Sequence, residues 1–167
     1  NTNTFELERI SGPSQIAASE VVAGDWYKNG NTTYNANAAR QQILIDTANL
    51  DTHSMLSSNT VVIQTPGIYE IGAQAYFSGA NIVSGGLYSV LVTKTTLGGT
   101  VLAGAESRAS AAGAVTSCTA TGIRSLVTGD ILYFAVSSNQ NHSASTITVD
   151  GSTTFLTKIS VRRLGGI

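Results

Sequence analysis

Two turn-and-strand units constrain this chain more than anything else in it. Pro66-Gly67 leads at once into Ile68, Tyr69, Glu70 and Ile71, and Gly129-Asp130 leads into Ile131, Leu132, Tyr133, Phe134, Ala135 and Val136. Proline fixes φ and has no N–H to donate, and glycine tolerates positive φ, so Pro66-Gly67 ends one extended segment and reverses the chain into the next. Thr128-Gly129-Asp130 plays the same part, after which Leu132, Phe134 and Val136 alternate to one side of a strand. The first unit is the longer one: Tyr69, Ile71, Ala73, Ala75 and Phe77 share a face.

The same chemistry recurs along the chain. Residues 15–22, 41–46 and 59–65 read as strands, followed by 86–95, 100–110, 114–127, 130–138, 145–149 and 153–164. Leu97-Gly98-Gly99 and Ala111-Ala112-Gly113 supply turns, as does the region around Leu50, Asp51, Thr52 and His53. Residues 24–40 read as a long polar loop carrying Trp26, Tyr27 and Tyr34, and the helical leaning of 35–40 is too short to stand alone. Short strands at regular spacing imply a sandwich or jelly roll, with no internal repeat. The 167 residues suit one domain, 13–167, preceded by a linker over 1–12 that ends in Ser11-Gly12-Pro13 and leads from an upstream stalk.

The Gly67-x-Tyr69 strand, the Gly129-Asp130 strand and a closing run of Ser152, Thr153, Thr154, Phe155 and Leu156 resemble the globular head of complement C1q and the related tumour-necrosis-factor superfamily. The resemblance spans residues 41–164. It implies a ten-strand-type antiparallel jelly roll that assembles as a homotrimer and binds without catalysing. Ile71 stands where the family carries an aromatic residue, and 154–157 lack the glycine found beside the last phenylalanine. These departures point to a distant relative of the kind found at bacteriophage fibre tips and on spore surfaces.

Composition narrows the function. Charged residues make up 11% of the chain, against about 25% in ordinary soluble domains. A net charge of −1 gives no field for steering onto nucleic acid or an anionic membrane, so neither partner is expected. No apolar run has membrane length. The lone Cys118 has no internal partner and reads as a buried, inert thiol.

Catalytic chemistry finds little support. His53 and His142 lie in separate polar segments without metal-ligand spacing, and Asp46, Asp51, Asp130 and Asp150 are scattered at strand ends as turn formers. No calcium loop occurs, and Asp150-Gly151 reads as a two-residue turn. The expectation is a protein that is not an enzyme and uses no metal or cofactor, with a carbohydrate-active enzyme far behind. Binding residues concentrate on loops of rigid sandwiches. The resemblance puts segments 24–40, 78–86, 110–113 and 139–152 at an apex remote from the chain termini, which makes Trp26, Tyr27, Tyr34, Asn81, Asn139, Gln140, Asn141 and His142 candidates for contact with a receptor. It also turns the Gly67-x-Tyr69 strand and the last strand toward a three-fold axis, which makes Glu70, Gln74, Tyr76, Leu156 and Lys158 interface candidates and suggests a Glu70–Lys158 charge pair there. The expected role is a trimeric attachment head on a virion surface, extracellular, recognising a host cell-surface saccharide or protein. The alternative is a trimerisation or capping domain of a virion or spore-surface protein with no receptor of its own.

Overall fold

The computed structural model describes residues 21–35, 39–139, 146–151 and 156–166. Among them thirteen strands and no helix form two antiparallel sheets. The strands are β1 (Ala23–Tyr27), β2 (Thr32–Asn35), β3 (Gln41–Gln42), β4 (Thr47–Asp51), β5 (Leu56–Ser57), β6 (Thr60–Val62), β7 (Gly67–Ser78), β8 (Leu87–Lys94), β9 (Thr100–Arg108), β10 (Thr116–Leu126), β11 (Ile131–Asn139), β12 (Thr146–Asp150) and β13 (Lys158–Gly165).

The Pro66-Gly67 turn delivers the longest strand, β7, which organises the first sheet. One edge of β7 pairs with β10 along nearly its whole length. Its other edge is shared: β13 takes Ile68–Gln74 and β12 takes Tyr76–Ser78. From there β13 continues to β1 and β4, and β12 to β2. The second sheet runs β5-β6-β11-β8-β9, with β3 paired farther along β11.

Period-two alternation fills the space between the sheets. Tyr69, Ile71, Ala73, Ala75 and Phe77 of β7 face Tyr88, Val90 and Val92 of β8 and Leu132, Phe134 and Val136 of β11, all buried. The rings of Phe77 and Tyr88 meet across the gap, centroids 5.1 Å apart. Tyr69, Ile71, Leu132, Phe134 and Ile159 are buried as expected, while Phe155 lies outside the described residues. Cys118 is buried on the inward face of β10, its thiol 3.0 Å from the Tyr88 carbonyl. At the β9–β10 side the backbone of Gly122 lies so close to the Leu102 carbonyl that a Cβ there would overlap it, so glycine lets the sheets close.

Residues 24–40 are not one long loop. They hold β1 and β2, and the aromatic residues divide between the faces. Trp26 is fully buried and donates from its indole N–H to Asp51 Oδ2 at 3.2 Å. Its ring lies over Gly24, where any Cβ would fall inside the indole. Alternation carries this: Trp26 points in, and Asp25 and Tyr27 point out.

The turn expected around 50–53 begins later, because Leu50 and Asp51 end β4. The Asp51 carboxylate then folds the next residues, accepting from the N–H groups of Met55 at 2.8 Å and Leu56 at 3.0 Å. Strand 41–46 shrinks to β3, and 59–65 becomes β6 in a tight hairpin with β5 through Ser58 and Asn59, both at positive φ. The expected strand over 15–22 lies mostly outside the described residues, and β1 begins only at Ala23. The linker over 1–12 lies wholly outside them.

Candidate functional site

Three surfaces compete for a functional role: the apex, the outward face of the first sheet and a cleft on the outward face of the second. The ends of β7, β9 and β11 and the starts of β8, β10 and β12 lie together at one end of the sandwich. The loops 79–86 and 109–115 close it. Gly113 N donates to Ile82 O at 2.9 Å and Gly85 N to Ala109 O at 2.8 Å, while the buried Ile82 side chain plugs the end of the core. Gly79, Gly85 and Gly113 adopt positive φ in these turns. Exposed Asn81 bonds Thr146 Oγ1 at 3.2 Å, and exposed Asn139 ends β11 beside Leu87. Residues 22 and 163 pair far from this apex, so the first and last described residues are neighbours.

Of the sequence-derived receptor candidates, the apex therefore holds Asn81 and Asn139. Trp26 and Tyr34 are corrected to core residues, since burial leaves neither ring to a ligand. Tyr27 is half-buried on the outward face of the first sheet, opposite Lys158. Gln140, Asn141 and His142 lie outside the described residues.

The outward face of the first sheet is laid out in rows across β10, β7 and β13. Ile123, Glu70 and Arg162 form one, Thr121, Gly72 and Ser160 the next, and Thr119, Gln74 and Lys158 a third. Gln74 donates to the Tyr76 hydroxyl at 2.9 Å. Glu70, Gln74, Tyr76, Leu156 and Lys158 are all half-buried. Large apolar side chains stand exposed at the end away from the apex, among them Ile68, Ile123 and Leu164. Register corrects the suggested charge pair within a subunit: Glu70 faces Arg162, and Lys158 lies four residues along β13 opposite Gln74.

The second sheet carries a cleft of about 610 Å³ on its outward side, near the apex. Ser89 of β8 and Ser137 of β11 lie opposite each other in its floor, Glu106 of β9 flanks Ser89, and Leu87 and Asn139 close the apical end. Arg40 forms the far wall. Its Nη1 donates to the Gly99 carbonyl at 3.1 Å, and Ser89 Oγ donates to Glu106 Oε1 at 3.3 Å. No sequence pattern announces this cleft, because its residues come from four separated elements joined only by strand pairing.

Ionisable groups elsewhere serve the fold. Burial works against the Asp51 carboxylate, but its bonds from Met55, Leu56, Trp26 and His53 outweigh that and hold it below the ordinary range. Burial pushes the Cys118 thiol up to about 11, which leaves it unreactive at neutral pH. Asp130 accepts from Val127 N at 2.9 Å and pairs with Lys94 at 2.7 Å, fixing the Gly129 turn. Among the described residues, no three or more His, Cys, Asp and Glu side chains gather as metal ligands would, and no helix is long and apolar enough to cross a membrane.

With two antiparallel sheets, this strand order and the packed interior, the chain has the jelly-roll fold of the tumour-necrosis-factor and C1q heads. Its likeness to solved structures makes this concrete. Eiger TNF from S. frugiperda superposes with a TM-score of 0.66 at 16% identity, over 88% of this chain and 94% of that one. Murine APRIL gives 0.62 at 17% identity, over 87% and 100%. The globular domain of zebrafish complement 1qA gives 0.58 at 11% identity, over 87% and 99%. No protein-family model and no curated protein matches the sequence.

Proposed function

We propose that this chain is the homotrimeric receptor-binding head of a viral fibre or spike, specifically a bacteriophage one, displayed extracellularly on the virion and recognising a host cell-surface saccharide or protein. It binds and does not catalyse. The observation that carries the reading is the outward face of the first sheet, where Ile68, Ile123 and Leu164 stand exposed beside a shallow floor of Gly72, Thr119, Thr121 and Ser160. A flat face with few charges and exposed apolar side chains costs little to desolvate, and association of identical chains removes it from water. In the C1q- and tumour-necrosis-factor-like reading the corresponding face meets the three-fold axis, which leaves the apex free for a receptor.

The viral part rests on sequence: low charge and no cysteine framework. Sedimentation of the purified chain at micromolar concentration tests the assembly and should report about three chains per particle, and a persistent monomer overturns it. Fluorescent trimer applied to whole bacterial cells tests the attachment. Saturable binding supports a receptor, while a trimer that binds no cell type returns the chain to a purely structural role.

A further inference from the structure

We propose that the cleft on the outward face of the second sheet, between Arg40 and Glu106, binds a neutral saccharide. The proposal rests on the attachment reading for the source of that saccharide, the host cell surface. The site itself is complete within one subunit and lies on the opposite sheet from the proposed trimer face.

The chemistry comes from an arrangement of opposite charges that do not meet. A guanidinium and a carboxylate line the same cleft, yet among the described residues no ion pair joins them. Arg40 is instead anchored on the Gly99 carbonyl, and Glu106 accepts from Ser89. One wall therefore offers N–H donors and another a carboxylate acceptor, with hydroxyl groups and the Asn139 amide between them. An anion entering here meets Glu106, and a cation meets Arg40. A vicinal diol suits both walls, because each hydroxyl accepts from the guanidinium side and donates to the carboxylate side. An amino-acid zwitterion would match the two charges but leave Ser137 and the Asn139 amide with nothing of its own to bond. Leu87 adds the apolar wall against which the C–H face of a sugar ring packs.

Size and rigidity agree. The volume of about 610 Å³ falls within the range of about 300–1,000 Å³ usual for small-molecule sites. Ser89 is buried in the middle of the sheet, and the floor is built from paired strands, so the polar groups are held in place before a ligand arrives.

The test is an NMR titration of the whole chain with the methyl glycosides of glucose, galactose and mannose, and with the methyl glycoside of sialic acid as the anionic arm. The expected result is weak, saturable binding of at least one neutral glycoside, with amide shifts centred on Leu87, Ser89, Glu106, Ser137 and Asn139. Ser137→Phe fills the floor and should abolish those shifts. Glu106→Gln, at an exposed position that folding does not depend on, should weaken binding about tenfold. Ser57→Ala, exposed on β5 at the opposite edge of the same sheet, should leave it unchanged. Absence of neutral-glycoside shifts at these residues overturns the proposal, as does binding that survives both cleft variants or a preference for the sialoside. If Ser137→Phe misfolds, Glu106→Gln alone decides. Whole-cell binding separates the two readings: adhesion that survives both cleft variants keeps the attachment head and removes the cleft as its receptor site. Glycoside binding without adhesion keeps the cleft and removes the attachment reading.

Discussion

The two sheets finish their outer surfaces differently. On the second sheet the chain covers itself: Ala135 on β11 and Thr93 on β8 point away from the core, yet both are 0% exposed. Gln42 of β3 lies beside Ala135 within the sheet, and the loop after β8 folds back so that the Thr93 hydroxyl bonds the Thr96 carbonyl at 2.9 Å. On the first sheet, positions that point outward remain open, with Ile123 56% and Leu164 50% exposed. At these positions the second sheet is covered by its own chain, whereas in the proposed trimer those of the first would be covered by a neighbour. Burial at Ala135 and Thr93 is thus a property of folding, while burial at Ile123 and Leu164 would come only with the proposed assembly.

The sharpest way to break this contrast is to place the same charge on each face. Ile123→Lys should leave the isolated subunit within about 0.5 kcal/mol of its original stability, because the ammonium group stays in water. In the trimer it should be severe, since each unpaired buried charge costs about 3–5 kcal/mol and three-fold symmetry repeats it three times. Sedimentation should show monomers that retain their thermal transition. A variant that remains trimeric moves the interface off this face.

Ala135→Lys should do the reverse. No solvent reaches that position, and Arg40, just before β3 beside it, adds a like charge. The expected loss is about 3–5 kcal/mol of subunit stability, read as a large fall in the urea midpoint, with no dependence on chain concentration. A stability loss below about 1 kcal/mol would mean that the surroundings of Ala135 open freely to solvent.

Asp51 tests the seam between the sheets, since it ends β4 in the first and organises the turn into β5 of the second. Its folded pKa lies below the ordinary value, so its contribution is fully present above the unfolded carboxylate range of about 4 and is lost progressively as pH falls through that range and on through the lower folded value. Asp51→Asn should lower stability near neutrality by about 1.5–3 kcal/mol, on the scale of hydrogen bonds to charged groups, read as a lower melting temperature. The gap between variant and parent should then narrow steadily as pH falls below about 5. A gap that stays constant across that range would mean that the charge is not what holds the turn.

What could be read from the sequence follows the same division between local and distant causes. β7 and β11 were legible because their turns carry Pro66-Gly67 and Gly129 and their apolar residues alternate without interruption, so local chemistry and burial agree. Residues 24–40 misled because Asp25, Lys28, Asn29 and Asn31 make a polar stretch, while the reason Trp26 turns inward is a partner, Asp51, that lies 25 residues away. The β5–β6 hairpin escaped because Ser58 and Asn59 take the positive φ usually signalled by glycine. Asn81 was legible as an apical residue, since hairpin loops reveal their end of the sandwich. Arg40, Ser89, Glu106 and Ser137 were not, because only register brings them to one cleft.

The smallest effect sharpens the map of the open face. Glu70 sits opposite Arg162, whereas Lys158 is four residues farther along β13, or about 13 Å at about 3.3 Å per residue. In the monomeric Ile123→Lys background, a Glu70→Ala and Arg162→Ala double-mutant cycle should show a coupling of about 0.2–1 kcal/mol, the size of an exposed cross-strand pair. The matching cycle with Lys158→Ala should be additive within about 0.5 kcal/mol, because the two groups share no partner. In the trimer the second cycle carries separate information: if a neighbour brings its Lys158 to this subunit's Glu70 across the axis, coupling appears there and vanishes on dissociation. Coupling between Glu70 and Lys158 already present in the monomer would mean that β13 is paired in a different register, and the row layout of the whole face would have to be redrawn.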